Sequence, residues 1–125
     1  MANDNLARKI DDDVYTRLDA MDATVKVNAD RNDRESRFPR ENLRALAEAG
    51  WTGVLNEPQF GGLGLSHLDF AEAAYRIGQA DASTGLVYVM HVGAAQTINL
   101  FGNTDQKERW LKAGNGSPLR HLLDQ

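Results

Sequence analysis

Apolar residues recur along this chain at the spacing of helix faces. After Asp11, every third or fourth residue is apolar at four positions: Val14, Leu18, Met21 and Val25. This spacing predicts one buried helix face. The aspartates at residues 11–13 suit a helix start, because the free N–H groups there are electropositive. We therefore expect a first helix over residues 11–28 and a charged connector at 29–36.

Two further helices are predicted on either side of a glycine-rich loop. Pro39 suits a first helical turn, where its missing N–H has no helical partner, and Gly50 suits a left-handed helix end. The buried stripe of this second helix is expected to be Leu43, Leu46 and Ala47. Ser66 and Asp69 form a capping-box pattern, which predicts a third helix to Gln79. Its mixed apolar stripe is expected to be Leu68, Ala71, Tyr75 and either Ile77 or Gly78.

The most apolar segment of the chain follows. After a capping residue, Asp81, the stretch ASTGLVYVMHVGAAQTINLF is apolar nearly all round, which is typical of a central, surrounded helix. Gly102 is expected to end it, and Thr104 to cap a fifth helix with Trp110 and Leu111 facing inward. No segment has the pattern of a strand. The chain is therefore predicted to be all-α, an up-and-down-like bundle of about five helices.

Composition excludes several classes of function. The net charge is −4 and there is no basic run, so neither nucleic acid nor an anionic membrane is expected as a partner. No apolar segment is long enough to span a bilayer, and the start MANDNLARKIDDD does not have the pattern of a signal peptide. The chain has no cysteine, which excludes disulfides and thiol chemistry and fits a cytoplasmic location.

Three glycines lie close together in the stretch EPQFGGLGLSHLD, at Gly61, Gly62 and Gly64. A dinucleotide-binding fingerprint requires a preceding buried strand, and a P-loop requires a Lys-Ser/Thr pair. Neither context occurs here. We interpret the cluster as a tight turn with positive φ angles that packs against the third helix, with a phosphate cradle as the alternative.

The histidines and small residues offer few chemical candidates. Of His67, His91 and His121, only His91 lies in the most apolar helix; we interpret it as a core or interface histidine bonded to a backbone carbonyl, with a ligand or proton-transfer role as the alternative. No second histidine or carboxylate stands beside it at helical spacing, so no metal site is expected. The same helix contains four small residues, which allow a neighbouring backbone or a ligand chain to approach: Gly85, Gly93, Ala94 and Ala95. No catalytic constellation is predicted.

The order of these features resembles the N-terminal helical domain of the acyl-CoA dehydrogenase family of flavoproteins. The matching stretches are DRNDRESRFPRENLRALAEAGWTGV, FGGLGLSHLDFAEAAYRIGQADASTGLVYVMH and FGNTDQKERWL. They reproduce a Phe-Pro helix start, an aromatic residue before Gly-Gly-x-Gly, an apolar helix with a polar histidine, and a Phe-Gly start to a Gln-Lys-rich helix. The series runs in order over residues 11–111.

This resemblance implies a substrate-binding role for the fourth helix. In the family, the corresponding helix lines the cavity for the acyl chain beneath the flavin ring, and the glycine loop is a structural turn. Carried over by position, the substrate-binding residues are Leu86, Val89, Met90 and Gly93, with Tyr88 and His91 nearby. These side chains are neither acidic nor nucleophilic, so they would shape specificity, and no catalytic or metal-binding residue is expected.

The resemblance also implies that most of an enzyme lies outside this sequence. It fades after Leu111, and in Glu57-Pro58-Gln59-Phe60 the proline is displaced from its family position. We expect a disordered start at 1–10, the helical domain at 11–113 and a divergent tail at 114–125, where the domain is truncated. FAD and an acyl-CoA thioester are expected in the complete parent enzyme. This chain alone is expected to be inactive without the FAD-binding middle domain and the C-terminal glutamate base, and to self-associate through an exposed apolar face.

Two alternatives to an acyl-CoA dehydrogenase fragment are kept open. One is a fragment of a flavin-dependent monooxygenase of the same fold, acting on aromatic or amine substrates. The other is a stand-alone helical module that binds a partner protein, suggested by the loss of every catalytic part.

Overall fold

A computed structural model of the chain describes residues 12–112, which form five α-helices and no strand. The helices are α1 (Asp12–Arg34), α2 (Arg40–Glu48), α3 (His67–Ala80), α4 (Ala82–Phe101) and α5 (Thr104–Trp110). Two short 3₁₀ turns, Trp51–Gly53 and Pro58–Phe60, lie between α2 and α3. The predicted all-α bundle is confirmed. None of the helices in this part of the chain is long and apolar enough to cross a membrane.

The first helix is longer than predicted, because it continues through most of the expected connector at 29–36 and ends at Arg34. Local polar contacts explain the extension. Arg34 forms an ion pair with Asp30 one turn earlier, and Arg31 donates a hydrogen bond to Asn28 Oδ1 at 3.1 Å. Both arginines lie in the last turn, where a positive charge stabilises the helix end.

The helices enclose one main hydrophobic core, built from both sides of the glycine-rich loop. Its buried members come from α1 to α4 and from the segment after α2: Leu18, Met21, Leu43, Leu46, Trp51, Val54, Ala73, Ile77, Tyr88 and Val92. The stripe predicted for α2 is buried as expected. A smaller cluster of Phe60, Ala95 and Leu111 attaches α5 to α4.

The buried face of α3 differs from the apolar stripe expected for it. The larger residues Leu68 and Tyr75 are exposed, as is Ala71. The buried residues are Ala73, Ile77 and Ala80. Ile77 is therefore buried as predicted, but it is accompanied by two small residues, Ala73 and Ala80, and not by the larger ones. Neighbouring helices pack closely against this side, so size and hydrophobicity alone did not identify it. The capping box of Ser66 and Asp69 is confirmed, with both reciprocal hydrogen bonds present.

The start and end of α5 also differ from the sequence-based expectation. Asn103, and not Thr104, is the N-cap: its Oδ1 accepts from the Gln106 amide at 2.9 Å, and Gln106 Oε1 accepts from the Asn103 amide at 3.0 Å. Asparagine is at least as good an N-cap as threonine. Leu111 is buried as predicted, but Trp110 is 45% exposed.

The glycine loop is a closed turn, as predicted. Gly61 and Gly64 have φ angles of 81° and 61°, which favour glycine. Gly62 is required for space, since a Cβ there would lie 2.1 Å from the Asn56 carbonyl oxygen. The amides of residues 61–65 all donate to backbone carbonyls within the segment 53–58. A phosphate cradle requires amides that point at the ligand, so this loop does not form one.

Candidate functional site

The two sides of α4 have different environments. This helix of 20 residues contains no aspartate, glutamate, lysine or arginine. Its buried residues share one side, which faces the rest of the bundle: Thr84, Gly85, Tyr88, His91, Val92 and Ala95. The other side is open to solvent. The expectation of a fully surrounded helix is therefore wrong for the described residues, because neighbouring elements cover only one side.

The four residues predicted to bind substrate lie together on the open side. Leu86 is 66% exposed, Val89 40% and Met90 67%, and Gly93 is also exposed. Their spacing of three, one and three residues places them along one line of the helix surface. We call this set of four residues the α4 wall. It has the form of an apolar strip with no titratable group.

The open side continues beyond the α4 wall to residues that the sequence analysis did not single out. Leu100 is 66% exposed and Phe101 82% exposed. Next to them lies a groove, here called the α4–α5 groove, lined by Thr97, Ile98, Phe101, Gly102, Gln106 and Trp110. The sequence pattern could have indicated this extension, because the three- and four-residue spacing of the wall continues through residues 97, 100 and 101.

Two hydrogen bonds fix the buried side of α4 to the Trp51–Gly53 turn. The Tyr88 hydroxyl donates to the Trp51 carbonyl at 3.0 Å, and His91 Nε2 lies 3.1 Å from the Thr52 carbonyl oxygen. The Phe70 ring packs 5.9 Å from the Tyr88 ring, centroid to centroid. Tyr88 and His91 therefore orient the wall from behind and do not line it.

The protonation state of His91 follows from its contacts. A carbonyl oxygen can only accept, so Nε2 carries the hydrogen in this contact. Burial lowers the pKa of His91, and the hydrogen bond to Thr52 offsets part of that shift. The ring is therefore neutral at pH 7. Burial also raises the pKa of Tyr88, so its hydroxyl stays protonated. The interpretation of His91 as a core histidine bonded to a backbone carbonyl is confirmed.

A buried polar cluster fixes the N-terminal end of α4. The Asp81 carboxylate accepts from the Ser83 amide at 3.3 Å and from Thr84 Oγ1 at 2.6 Å. Asn42 Nδ2 donates to Thr84 Oγ1 at 3.1 Å, and Asn42 Oδ1 accepts from Asn28 Nδ2 at 3.0 Å. Helix capping was predicted for Asp81, but the links to α1 and α2 were not. They fix the direction of α4, and with it the wall.

Small residues serve different purposes on the two sides of α4. A Cβ on Gly85 would lie 2.8 Å from Gly78 Cα, so this glycine allows α3 and α4 to approach closely. A Cβ on Gly93 would meet nothing within 4 Å. The close-approach explanation thus holds for Gly85, whereas Gly93 leaves a shallow gap in the wall.

Chemically, the described residues can bind an apolar group but offer no reacting group at the wall. No set of three histidine, cysteine, aspartate or glutamate side chains within residues 12–112 is placed to hold a metal ion. His67 begins α3, away from the wall, and His121 lies outside the described residues. The α4 wall is therefore the candidate binding surface.

Comparison with known proteins is consistent with this geometry. Residues 16–114 match the family model described as acyl-CoA dehydrogenase, N-terminal domain. The chain is 33% identical over 94 residues to the mitochondrial isobutyryl-CoA dehydrogenase of Dictyostelium discoideum, a match that covers 75% of this chain and 23% of that protein. No solved structure matches significantly.

Other similar proteins are named for different reactions. An amino sugar nitrososynthase of Streptomyces rubradiris is 35% identical over 88 residues, covering 70% of this chain and 20% of that protein. The oxygenase subunit of a flavin-dependent monooxygenase from Rhodococcus jostii is 30% identical over 104 residues, covering 83% and 26%. The chain thus spans about a fifth to a quarter of the length of these relatives.

Proposed function

The chain belongs to the acyl-CoA dehydrogenase family, in which it matches the N-terminal domain, and from this we propose that it supplies the acyl-chain wall of a flavin-dependent oxidoreductase. The observation that carries the proposal is the α4 wall: one exposed, uncharged line of Leu86, Val89, Met90 and Gly93 on a helix held rigidly from behind. A fatty chain gains about 0.8 kcal/mol for each methylene buried against such a surface.

The wall is proposed to set specificity and to exclude water. When bound in the complete enzyme, FAD would supply the hydride-accepting chemistry, and the four residues of the α4 wall would only line the acyl chain. The described residues do not fit the role of FAD holder by themselves, because the amides of the glycine loop at 61–65 are all used internally. We therefore propose that this chain alone is inactive and binds no FAD. A cytoplasmic location belongs to the same proposal, supported by the lack of cysteine.

The first test is the flavin content and activity of the purified 125-residue chain. The expected preparation is colourless, releases no FAD on denaturation and does not oxidise an acyl-CoA in the presence of an artificial electron acceptor. Stoichiometric FAD in the preparation would show that the domain binds flavin independently and would refute this part of the proposal.

The wall itself is tested in a chimera. The aligned residues of the Dictyostelium isobutyryl-CoA dehydrogenase are replaced by the matching residues of this chain, and Met90→Ala is introduced. Removing this side chain makes room for a longer acyl chain, so kcat/KM for a longer thioester should rise several-fold relative to isobutyryl-CoA. Leu68→Ala is the matched control, because Leu68 is an apolar residue of similar exposure, 56%, on α3. Equal changes in both variants would contradict an acyl-chain wall at Met90.

A fragment of a flavin-dependent monooxygenase is the second candidate function. It is favoured by the similarity to the oxygenase subunit and the nitrososynthase. The same wall would then face an aromatic or amine substrate. The two candidates differ in the parent enzyme, where oxygen consumption with reduced flavin indicates the monooxygenase and thioester-dependent reduction of an electron acceptor indicates the dehydrogenase.

Self-association of the isolated chain is proposed from the same surface. The large exposed apolar residues on α4 and α5 are Leu86, Val89, Met90, Leu100, Phe101 and Trp110, and exposed apolar surface of this kind is typical of association sites. Sedimentation velocity should show association at micromolar concentration. Met90→Glu should weaken it, whereas Tyr75→Glu on α3 should not.

A further inference from the structure

Gly93 leaves a gap on the open side of α4 that no packing contact explains. Glycine is among the least favourable residues in a helix interior. At Gly85 this cost has a structural reason, since a Cβ there would lie 2.8 Å from the backbone of α3. At Gly93 an added Cβ would meet nothing within 4 Å. Positions that break a local rule without such a compensation are typical of functional sites.

The gap is bounded by one side chain on each side along the helix. Met90, which is 67% exposed, precedes Gly93 by three residues, and Thr97, also exposed, follows it by four. Both are therefore its neighbours on the helix surface, and we call the space between them the Gly93 notch. Because an added Cβ would touch neither side chain, the notch has room for a methyl-sized group.

The notch is complementary in charge to a hydrocarbon. α4 contains no aspartate, glutamate, lysine or arginine. The Thr97 hydroxyl donates a hydrogen bond to the Gly93 carbonyl oxygen at 3.1 Å, so the backbone acceptor beside the notch is hydrogen-bonded within the helix. An uncharged hydrocarbon group can therefore enter without leaving this carbonyl unsatisfied, whereas a carboxylate there would lose water and gain no charged partner from α4.

From this complementarity we propose that the Gly93 notch takes a methyl branch of the acyl group, which makes Gly93 a specificity-determining residue for branched over straight-chain thioesters. The inference rests on the proposed acyl-chain wall and names the substrate class of that wall. Alanine differs from glycine by one methyl group, so Gly93→Ala fills the notch with protein where the branch would lie. A close approach by another part of the complete enzyme is the competing explanation, and it predicts that Gly93→Ala affects every thioester equally.

The chimera that carries the residues of this chain tests the proposal with isobutyryl-CoA and butyryl-CoA, which have the same number of carbons and differ only in the branch. Gly93→Ala should lower kcat/KM for isobutyryl-CoA about tenfold relative to butyryl-CoA, because one methyl-sized group in an apolar pocket is worth at least that factor. Gly78→Ala is the matched control. An added Cβ at Gly78 also meets nothing within 4 Å, but this residue lies on α3, outside the wall.

The outcomes separate a failure of the notch from a failure of the wall. An equal fall for both isomers would overturn the proposal in favour of an enzyme contact at Gly93. If Met90→Ala changes the chain-length preference while Gly93→Ala leaves the isomer ratio unchanged, the wall stands and the notch alone is refuted. If neither variant changes specificity, the proposed function fails as well.

A second measurement on the 125-residue chain needs no turnover. Saturation-transfer NMR with the same two thioesters should show stronger transfer to the branch methyl groups of isobutyryl-CoA than to the terminal methyl group of butyryl-CoA. Gly93→Ala should remove this difference, and Gly78→Ala should preserve it. Equal transfer to the two isomers in the parent chain would contradict the inference.

Discussion

The close approach of α3 and α4 at Gly85 gives a quantitative prediction about stability. A Cβ added at this position would lie 2.8 Å from Gly78 Cα and 3.2 Å from Gly78 N. Both are backbone atoms, so no side chain can rotate away and the two helices would have to move apart. Gly93 is the matched control in the same helix, because its added Cβ would meet nothing within 4 Å.

The expected magnitude follows from two opposing effects. Glycine to alanine in a helix interior gains about 0.8–1 kcal/mol of stability through helix propensity, so Gly93→Ala should raise the free energy of unfolding by roughly that amount. Gly85→Ala makes the same local gain but adds a methyl group to a packed interface, which typically costs about 1–3 kcal/mol. The variant at Gly85 should therefore be less stable than the variant at Gly93 by about 1–3 kcal/mol.

Urea unfolding followed by far-ultraviolet circular dichroism measures this difference. The two variants and the parent chain are compared at the same low protein concentration, so that association contributes equally. The reasoning requires similar m-values and a lower midpoint for Gly85→Ala than for Gly93→Ala. If both substitutions raise the midpoint by the same amount, α3 and α4 do not approach at Gly85 as described here.

Three further predictions concern other contacts of α4 and the loop. Tyr88→Phe removes a buried hydrogen bond and should lower the free energy of unfolding by about 1 kcal/mol. Tyr75→Phe on the surface should leave the free energy of unfolding unchanged, and urea titration compares the two variants. Gly62→Ala places a Cβ 2.1 Å from a carbonyl oxygen, and thermal unfolding should show a loss of about 3 kcal/mol or more. Burial lowers the pKa of His91, so below pH 6.5 the native state binds fewer protons than the unfolded chain. The free energy of unfolding should therefore fall as the pH drops below about 6.5, by at most about 1.4 kcal/mol per pH unit. His91→Gln should flatten this fall between pH 7 and 5 in the same urea assay, and an unchanged slope would contradict the link.

Features that depend on a few neighbouring residues were predictable from the sequence. The capping box of Ser66 and Asp69 and the left-handed glycines at 61 and 64 are set by interactions within four residues, and both are present. The repeat of apolar positions likewise predicted the buried stripe of α2. The prediction of the α5 N-cap was wrong because two good capping residues, Asn103 and Thr104, are adjacent. The local sequence pattern alone does not choose between them.

Features that depend on distant partners were decided only by the tertiary structure. The polar cluster at the start of α4 requires Asn42 to meet Thr84 from a different helix, and no local pattern indicates such a contact. The same holds for α3, where the small residues Ala73 and Ala80 are buried beside Ile77 because other helices pack there.

The fourth helix shows the distinction most clearly. Its sequence predicted a helix that is uncharged and apolar nearly all round, and its resemblance to a known family predicted which of its residues would line a substrate cavity. The sequence of α4 did not determine which side of the helix is exposed to solvent, since hydrophobicity is nearly equal around the helix. That was decided by the hydrogen bonds of Tyr88 and His91 to the Trp51–Gly53 turn and by the contact at Gly85. These contacts fix one side of α4 against the core, and the α4 wall is exposed because it lies on the other.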